Sequence, residues 1–260
     1  MSDARRLHAP ITFAIGAQID LGVEAAHHVR VLRLRPGDEV RLFDGRGLEC
    51  DAVLDDITDG RVTCRISRID ARVQATARVV LVQALPKGSK LDDIVRTATE
   101  AGVAEIRLAI AERSIARPDE SRAKGRLDRL EKIAREAARQ SERPDVPTIT
   151  MPASLFEVAA RAPITAARLI LSPRVGIPWA DALGAHDEAW LIIGPEGGLS
   201  ESEERTLQAE GWTAAHIAVP ILRVETAAPI AVALMRDRIT SLAPISRSTP
   251  RTDWSAKSRG

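Results

Sequence analysis

The stretch Ala189-Trp190-Leu191-Ile192-Ile193-Gly194-Pro195-Glu196-Gly197-Gly198-Leu199-Ser200-Glu201-Ser202-Glu203 decides the fold. Its first five residues are an unbroken apolar run, the pattern of a strand covered on both faces. Ser200 followed by Glu203 reads as a capping box, because the hydroxyl and the carboxylate can satisfy amide N–H groups that open a helix. Between strand and helix lies a glycine-rich turn. Glycines there let a ligand approach the backbone. In an open α/β sheet, ligands sit outside the carboxyl ends of the strands. The spacing is neither Gly-x-Gly-x-x-Gly nor the Walker pattern with its lysine. Glu196 also puts a carboxylate where a phosphate would sit. A neutral or cationic ligand therefore fits the turn better than a phosphate. A turn with structural duty only is the alternative, since an isolated glycine cluster is a weak signal.

Toward the C-terminus, Gly211 closes the helix that Ser200 opens. His216–Val219 reads as a strand and Thr226–Ser241 as the last helix, with Thr226 able to cap it and Pro229 in its first turn. The run Ile221-Leu222-Arg223-Val224-Glu225-Thr226 places a guanidinium, a carboxylate and a hydroxyl at a strand–helix junction. They would face the same crevice as the glycine turn. A surface ion pair between Arg223 and Glu225 is the other reading.

Toward the N-terminus, Arg168–Ser172, Glu105–Ile110 and the apolar run Val79–Val82 read as strands. Lys124–Gln140 reads as a helix with Leu127, Leu130, Ile133, Ala134 and Ala137 on one side. Ser89 and Asp92 form a capping pattern for a helix carrying Ile94, Val95, Ala98 and Ala101, with Gly102 where a C-terminal cap belongs. Lys87, in Leu85-Pro86-Lys87-Gly88-Ser89, would make an anion-friendly corner at that helix start. A solvated lysine on a plain turn is the alternative. Strands alternating with helices imply a mostly parallel sheet.

The first 70 or so residues differ. After a short helix at Glu24–Arg33 come apolar runs at Val40–Phe43, Leu48–Leu54 and Arg61–Ile69, separated by Asp44-Gly45 and Asp59-Gly60. Asp-Gly between apolar runs signals hairpins, because glycine accepts the positive φ such turns need. Several short strands of this kind suggest a small barrel. The expected domains are 1–72 and 73–243, with the boundary near residue 72. A polar, Ser/Arg-rich tail over 244–260 is expected to be disordered.

A net charge of +1 among 260 residues gives no global field for a polyanionic partner. Arginine supplies most of the cations, which suits bidentate phosphate contacts and equally fits a codon bias. Residues 87–143 carry 14 basic and 11 acidic side chains, a weak RNA footprint. Residues 236–260, with six basic and two acidic, could grip RNA without sequence preference. Cys50 and Cys64 are too few for a disulfide framework, and the five histidines are scattered, so no metal is expected. No apolar run nears the roughly 20 residues that span a bilayer. A soluble, cytoplasmic protein without membrane attachment is expected.

Six strings in register give a resemblance across about residues 5 to 240. They are His27–Asp38 followed by Leu42-Phe43-Asp44-Gly45; Ala84-Leu85-Pro86-Lys87-Gly88; Thr99-Glu100-Ala101-Gly102-Val103 with Glu112-Arg113-Ser114; Glu136-Ala137-Ala138-Arg139-Gln140-Ser141 with Arg143; Ile193–Gly198; and Ile221-Leu222-Arg223 with Glu225-Thr226-Ala227. Together they resemble the bacterial 16S rRNA (uracil-N3-) methyltransferases of the SPOUT superfamily. The resemblance implies a PUA-like RNA-binding barrel ahead of an α/β trefoil-knot domain, a homodimer, and methylation of a uridine base of 16S rRNA in the small ribosomal subunit. S-adenosylmethionine would be the cofactor, and its sulfonium and ammonium suit a site containing Glu196. Three loops would hold it, at Leu171 and Ser172, at Gly194, Pro195, Glu196, Gly197 and Gly198, and at Ile217, Ala218, Ile221 and Leu222. Arg223, Glu196, Glu225 and Thr226 would carry the chemistry. Arg5, Arg6, Arg30 and Arg33 of the barrel, with Lys87, Arg113, Gln140 and Arg143, would contact RNA. The family usually has Gly and Arg where this chain has Ala218 and Pro220, and Thr where it has Val224. A SPOUT enzyme acting on a ribose 2′-hydroxyl and a noncatalytic RNA-binding protein are the rival readings.

Overall fold

A computed structural model describes residues 5–58, 60–70, 77–114, 120–173 and 175–242. Asp59 of the second expected hairpin turn, the boundary near residue 72 and the tail over 244–260 lie outside the described residues.

The N-terminal part contains β1 (Arg6–His8), β2 (Gln18–Asp20), α1 (Gly22–Val31), β3 (Glu39–Phe43), β4 (Glu49–Thr58) and β5 (Arg61–Ile69). These strands form one sheet in the order β1-β3-β4-β5-β2. β1 pairs with β3 in parallel and the other pairs are antiparallel. Alternation on β4 buries Cys50, Ala52 and Leu54 beside Val40, Leu42, Val62 and Ile66. Burial pushes the thiol pKa of both Cys50 and Cys64 up to about 12, so they serve as small apolar core residues.

The second part holds β6 (Arg78–Ala84), α2 (Lys90–Glu100), β7 (Glu105–Ile110), α3 (Glu120–Gln140), β8 (Thr148–Ile149), β9 (Ala153–Ser154), α4 (Leu155–Ala159), β10 (Ala167–Leu171), β11 (Ile177–Pro178), α5 (Trp179–Leu183), β12 (Glu188–Ile193), α6 (Glu201–Ala209), β13 (Thr213–His216) and α7 (Val224–Leu242). Its sheet runs β11-β13-β10-β12-β6-β7-β8, with β9 also paired to β7, and every pairing is parallel. Parallel strands bury both faces. Side chains of β6 accordingly alternate between two cores. Val79 and Leu81 pack with α2 and α7 residues such as Ile94 and Val232, while Val80 and Val82 pack with Trp190, Leu199 and Leu207. The last helix returns across the sheet to lie against α2 and β6.

Three local expectations are corrected. His216–Val219 is not a strand: β13 spans Thr213–His216, because its partner β10 ends at Leu171, opposite Ala215. After Ser172 N–H donates to the Ala215 carbonyl at 2.9 Å, the chain from 217 to 222 leaves the sheet and becomes available to line a cavity. The Ser89–Asp92 cap also does not form. Ser89 makes no side-chain cap bond, and Asp92 pairs instead with Arg129 of α3. The Ser200–Glu203 box forms as the sequence predicts. Pro229 lies inside α7 rather than in its first turn. It has no N–H to offer the carbonyl of Glu225 one turn earlier.

The two parts are riveted together. Arg6, on β1, stacks over Phe43, pairs with Glu49, and reaches the carbonyls of Ala138 and Arg143 at 3.2 and 2.7 Å. Arg143 in turn donates to the carbonyls of Thr99 (2.5 Å) and Val103 (2.8 Å) and to Asp145 (2.6 Å). Arg6 and Arg143 are corrected as RNA-contact residues: both are buried, and their donors are committed to carbonyls and carboxylates inside the protein.

Candidate active site

The carboxyl ends of β10, β12 and β13 are adjacent in the sheet, and the three loops that leave them surround one cavity of about 410 Å³. Leu171, Ser172 and Pro173 form one wall. Ile193, Gly194, Pro195, Glu196, Gly198 and Leu199 form the second, and Ile217 with residues 219–224 the third. Segments about 25 to 50 residues apart in sequence meet because parallel strands place all their loops on the same sheet edge. Gly197 and Ala218 belong to two of these loops but do not line the cavity. Ala218 does not adopt a positive φ, so the loop accepts an alanine there.

Gly194 permits the tight fold of the second loop. A Cβ on it would come within 2.9 Å of the Leu199 nitrogen and 3.0 Å of the Gly198 carbonyl carbon. The loop is clasped from outside. Arg113 donates to the Gly197 carbonyl at 2.7 Å and to the Leu199 carbonyl at 3.2 Å. Glu203, beyond capping α6, accepts from Glu112 N–H at 2.7 Å. Arg113, expected to face RNA, is exposed, and its guanidinium also holds this loop.

The charges at the cavity are organised by Lys90, which the sequence reading did not select. Its ammonium lies 2.9 Å from Glu196 and 3.7 Å from Glu225. The Lys87 backbone N–H also donates to the Glu196 carboxylate, at 3.1 and 3.2 Å. The hydrogen bond to Glu196 holds the Lys90 pKa above its ordinary value. Burial raises the pKa of Glu196, but the bonds from Lys90 and from backbone N–H groups outweigh it and leave the carboxyl below its ordinary 4.5. Glu225 Oε2 is buried and accepts no hydrogen bond among the described residues. Glu204, on α6, also lines the cavity, and burial pushes its pKa up. Lys90 was legible in principle: it is the first residue of a helix that follows a strand end, on the same edge as the glycine turn.

Of the four residues expected to carry chemistry, Arg223 and Glu196 line the cavity. Glu225 reaches it through Lys90. Thr226 is exposed, and its N–H donates to the Arg223 carbonyl at 2.9 Å. Among the residues expected at RNA, Arg5, Arg30, Arg33, Lys87 and Gln140 are exposed. Arg5 faces Asp38 at 3.6 Å, and Arg33 takes a positive φ of 56° just past α1.

The family described as an RNA methyltransferase domain matches residues 73–236, and that described as an RNA methyltransferase PUA domain matches 21–67. The ribosomal RNA small subunit methyltransferase E of Synechocystis sp. is 31% identical over 229 residues, covering 84% of this chain and 73% of the relative. That of Mycobacterium bovis is 31% identical over 216 residues, covering 81% and 82%. A crystal structure of the Neisseria gonorrhoeae ribosomal RNA small subunit methyltransferase E, bound to S-adenosyl methionine, superposes with a TM-score of 0.84 at 30% identity over 90% of this chain and 97% of that one. By sequence and by the fold of both its parts, the chain belongs to the ribosomal RNA small subunit methyltransferase E family, with a PUA-like domain ahead of a SPOUT trefoil-knot domain.

Proposed function

We propose that this protein methylates N3 of a uridine in 16S rRNA, corresponding to U1498 of the decoding region, using S-adenosylmethionine. The observation that carries the reading is the convergence of three strand-end loops on one cavity in which two carboxylates share a single ammonium. The cavity fits the cofactor: its volume lies within the roughly 300–1,000 Å³ of small-molecule sites. Its walls are mostly apolar loop segments, and the Glu196 and Glu204 carboxylates among them suit a ligand bearing a sulfonium and an ammonium. Leu171, Ser172, Gly194, Pro195, Ile217, Ile221 and Leu222 would hold the cofactor, largely by backbone. When bound, it supplies an activated methyl group, and the protein is left with positioning, proton transfer and water exclusion.

Uridine N3 carries a proton at neutral pH, and that proton must leave. Glu196 is a poor acceptor because its carboxylate is already held by Lys90 and the Lys87 N–H. Glu225 is held more loosely, its Oε2 lying 3.7 Å from Lys90 with no hydrogen bond among the described residues, and is the better base. Glu225 would accept the N3–H proton, leaving the nitrogen lone pair free to take the methyl group that the cofactor supplies when bound. Arg223, on the third loop, is placed to offset charge developing on the uracil carbonyl oxygens. Barrel residues Arg5, Arg30 and Arg33, with Lys87 and Gln140, are the proposed RNA contacts. A homodimer belongs to the same reading. Val175, Ile177, Val219 and Ile221 are exposed at the β11–β13 edge beside the cavity, and a second copy of this chain would cover them. As a ribosome-modifying enzyme it would act in the cytoplasm.

Nucleoside mass spectrometry of 16S rRNA from a strain lacking the gene tests the reading. Loss of 3-methyluridine is expected, and its persistence refutes the assignment. Calorimetry with S-adenosylmethionine tests the cofactor separately: no heat at millimolar ligand would favour a noncatalytic RNA-binding protein.

A further inference from the structure

A second cavity, of about 390 Å³, lies between the N-terminal part and α3. It shares no lining residue with the candidate active site. We propose that this cleft is a separate nucleotide-binding site, which receives one unstacked nucleotide of the RNA substrate while methyl transfer proceeds elsewhere. The proposal rests on the reading of the protein as an RNA methyltransferase and adds a site to it.

Three features of the cleft specify a nucleotide. Leu7, Pro10 and Ala25 give it apolar walls, which suit the faces of a base. His8 and His28 both line the cleft. His28 Nε2 is buried and has no hydrogen-bond partner among the described residues. Burial, with Arg135 and Arg139 nearby, holds both imidazoles below the ordinary histidine pKa. They are therefore neutral near pH 7, and a neutral imidazole can donate to or accept from a base edge. Arg135 supplies the third feature. Its guanidinium has neither a hydrogen bond nor an ion pair among the described residues, which leaves it for a phosphate. The carboxylates at the rim each face a cation. Glu136 pairs with Arg139 at 3.0 Å, and Glu24 lies 3.5 Å from Lys132.

The cleft is also preformed. The strand that supplies Leu7 and His8 begins at Arg6, and Arg6 is bonded to the carbonyls of Ala138 and Arg143 at the end of α3. Both walls are thereby fixed to one another before RNA arrives. Single-stranded RNA is recognised by unstacked bases seated against protein surfaces, with basic side chains on the backbone. This geometry provides one such seat.

The test uses the full chain and a short fluorescein-labelled single-stranded RNA containing 4-thiouridine. Two variants are compared with wild type: Arg135→Gln, and Val23→Glu at the cleft mouth. Val23 is 70% exposed, so its replacement leaves folding intact. Each variant is expected to weaken RNA binding about tenfold while S-adenosylmethionine affinity is unchanged. Arg135→Gln should also lower the salt slope of binding by about one. Photocrosslinks should map to residues 21–28 or 135–139. Unchanged RNA affinity in both variants, or crosslinks confined to the face of the first cavity, would overturn the site. Equilibrium binding and crosslinking do not require methylation, so failure of the uridine-N3 assignment would be read separately by the nucleoside analysis.

Discussion

Replacing Gly194 by alanine tests how the second loop is built. The added Cβ would lie 2.9 Å from the Leu199 nitrogen, 3.0 Å from the Gly198 carbonyl carbon and 3.1 Å from its Cα. Ordinary van der Waals contact begins near 3.4 Å, so the loop must retreat by about half an ångström. All three obstacles are backbone, and no rotamer change can relieve them. Retreat also pulls against Arg113, which holds the carbonyls on both sides of Gly198. Overpacking of this kind costs about 1–3 kcal/mol. Charged to the ligand-shaped form of the loop, that is a weakening of S-adenosylmethionine binding by about tenfold to a hundredfold. Gly197→Ala is the control. Its Cβ would meet only the Arg113 side chain, at 3.4 and 3.7 Å, and its φ is not positive. Its affinity should stay within about twofold of wild type. Gly198→Ala falls between, because its space is open but its φ of +70° strains an alanine by about 1 kcal/mol. Isothermal calorimetry on the three variants gives the ranking. Wild-type affinity in Gly194→Ala, or equal losses in Gly194→Ala and Gly197→Ala, would refute the backbone-contact argument.

Four further outcomes are expected. Arg143→Met strips the Thr99 and Val103 carbonyls of their donor and should cost about 3 kcal/mol, seen as a fall in Tm of about 6–12 °C. An NMR titration should place the Glu196 carboxyl below 4.5 in wild type and higher in Lys90→Met. Since its folded pKa lies below the unfolded value, the stability Glu196 contributes is present above pH 4.5 and is lost as pH falls through the folded value; in Lys90→Met that contribution is smaller and its loss is complete at a higher pH. Glu225→Gln should keep cofactor affinity and lower kcat about a hundredfold or more, and an unchanged rate removes Glu225 as base. Arg223→Ala should likewise bind the cofactor and transfer slowly, and full activity would exclude Arg223 from charge stabilisation.

The legible parts of the fold were those with strong local patterns. Arg61–Ile69 and Glu105–Ile110 read correctly to the residue, because apolar periodicity and flanking turn residues mark their ends. Elements of two to five residues, such as β8, β9, β11, α4 and α5, carry too few positions to show a period. Ser154 with Glu157 is a complete capping box that could have marked α4 in the sequence. The strand placed at His216–Val219 failed for a different reason. Its apolar content suits a strand, but where β13 stops is set by its neighbours β10 and β11, whose last paired residues face Ala215 and His216.

By itself the sequence determined that a small β domain precedes a parallel α/β domain, and that a glycine turn closes a strand at the ligand-bearing edge. Those features are written in neighbouring residues, through hydrophobic period, turn chemistry and capping. Only the tertiary structure decided what each charged side chain does. Arg6 and Arg143 looked like RNA contacts and are buried rivets, Arg113 clasps a loop, and Lys90 divides one ammonium between two carboxylates. The reason is that a charge takes its role from its partners. Here those partners lie as many as 137 residues away, as Arg6 and the Arg143 carbonyl do, at separations that no local pattern can span.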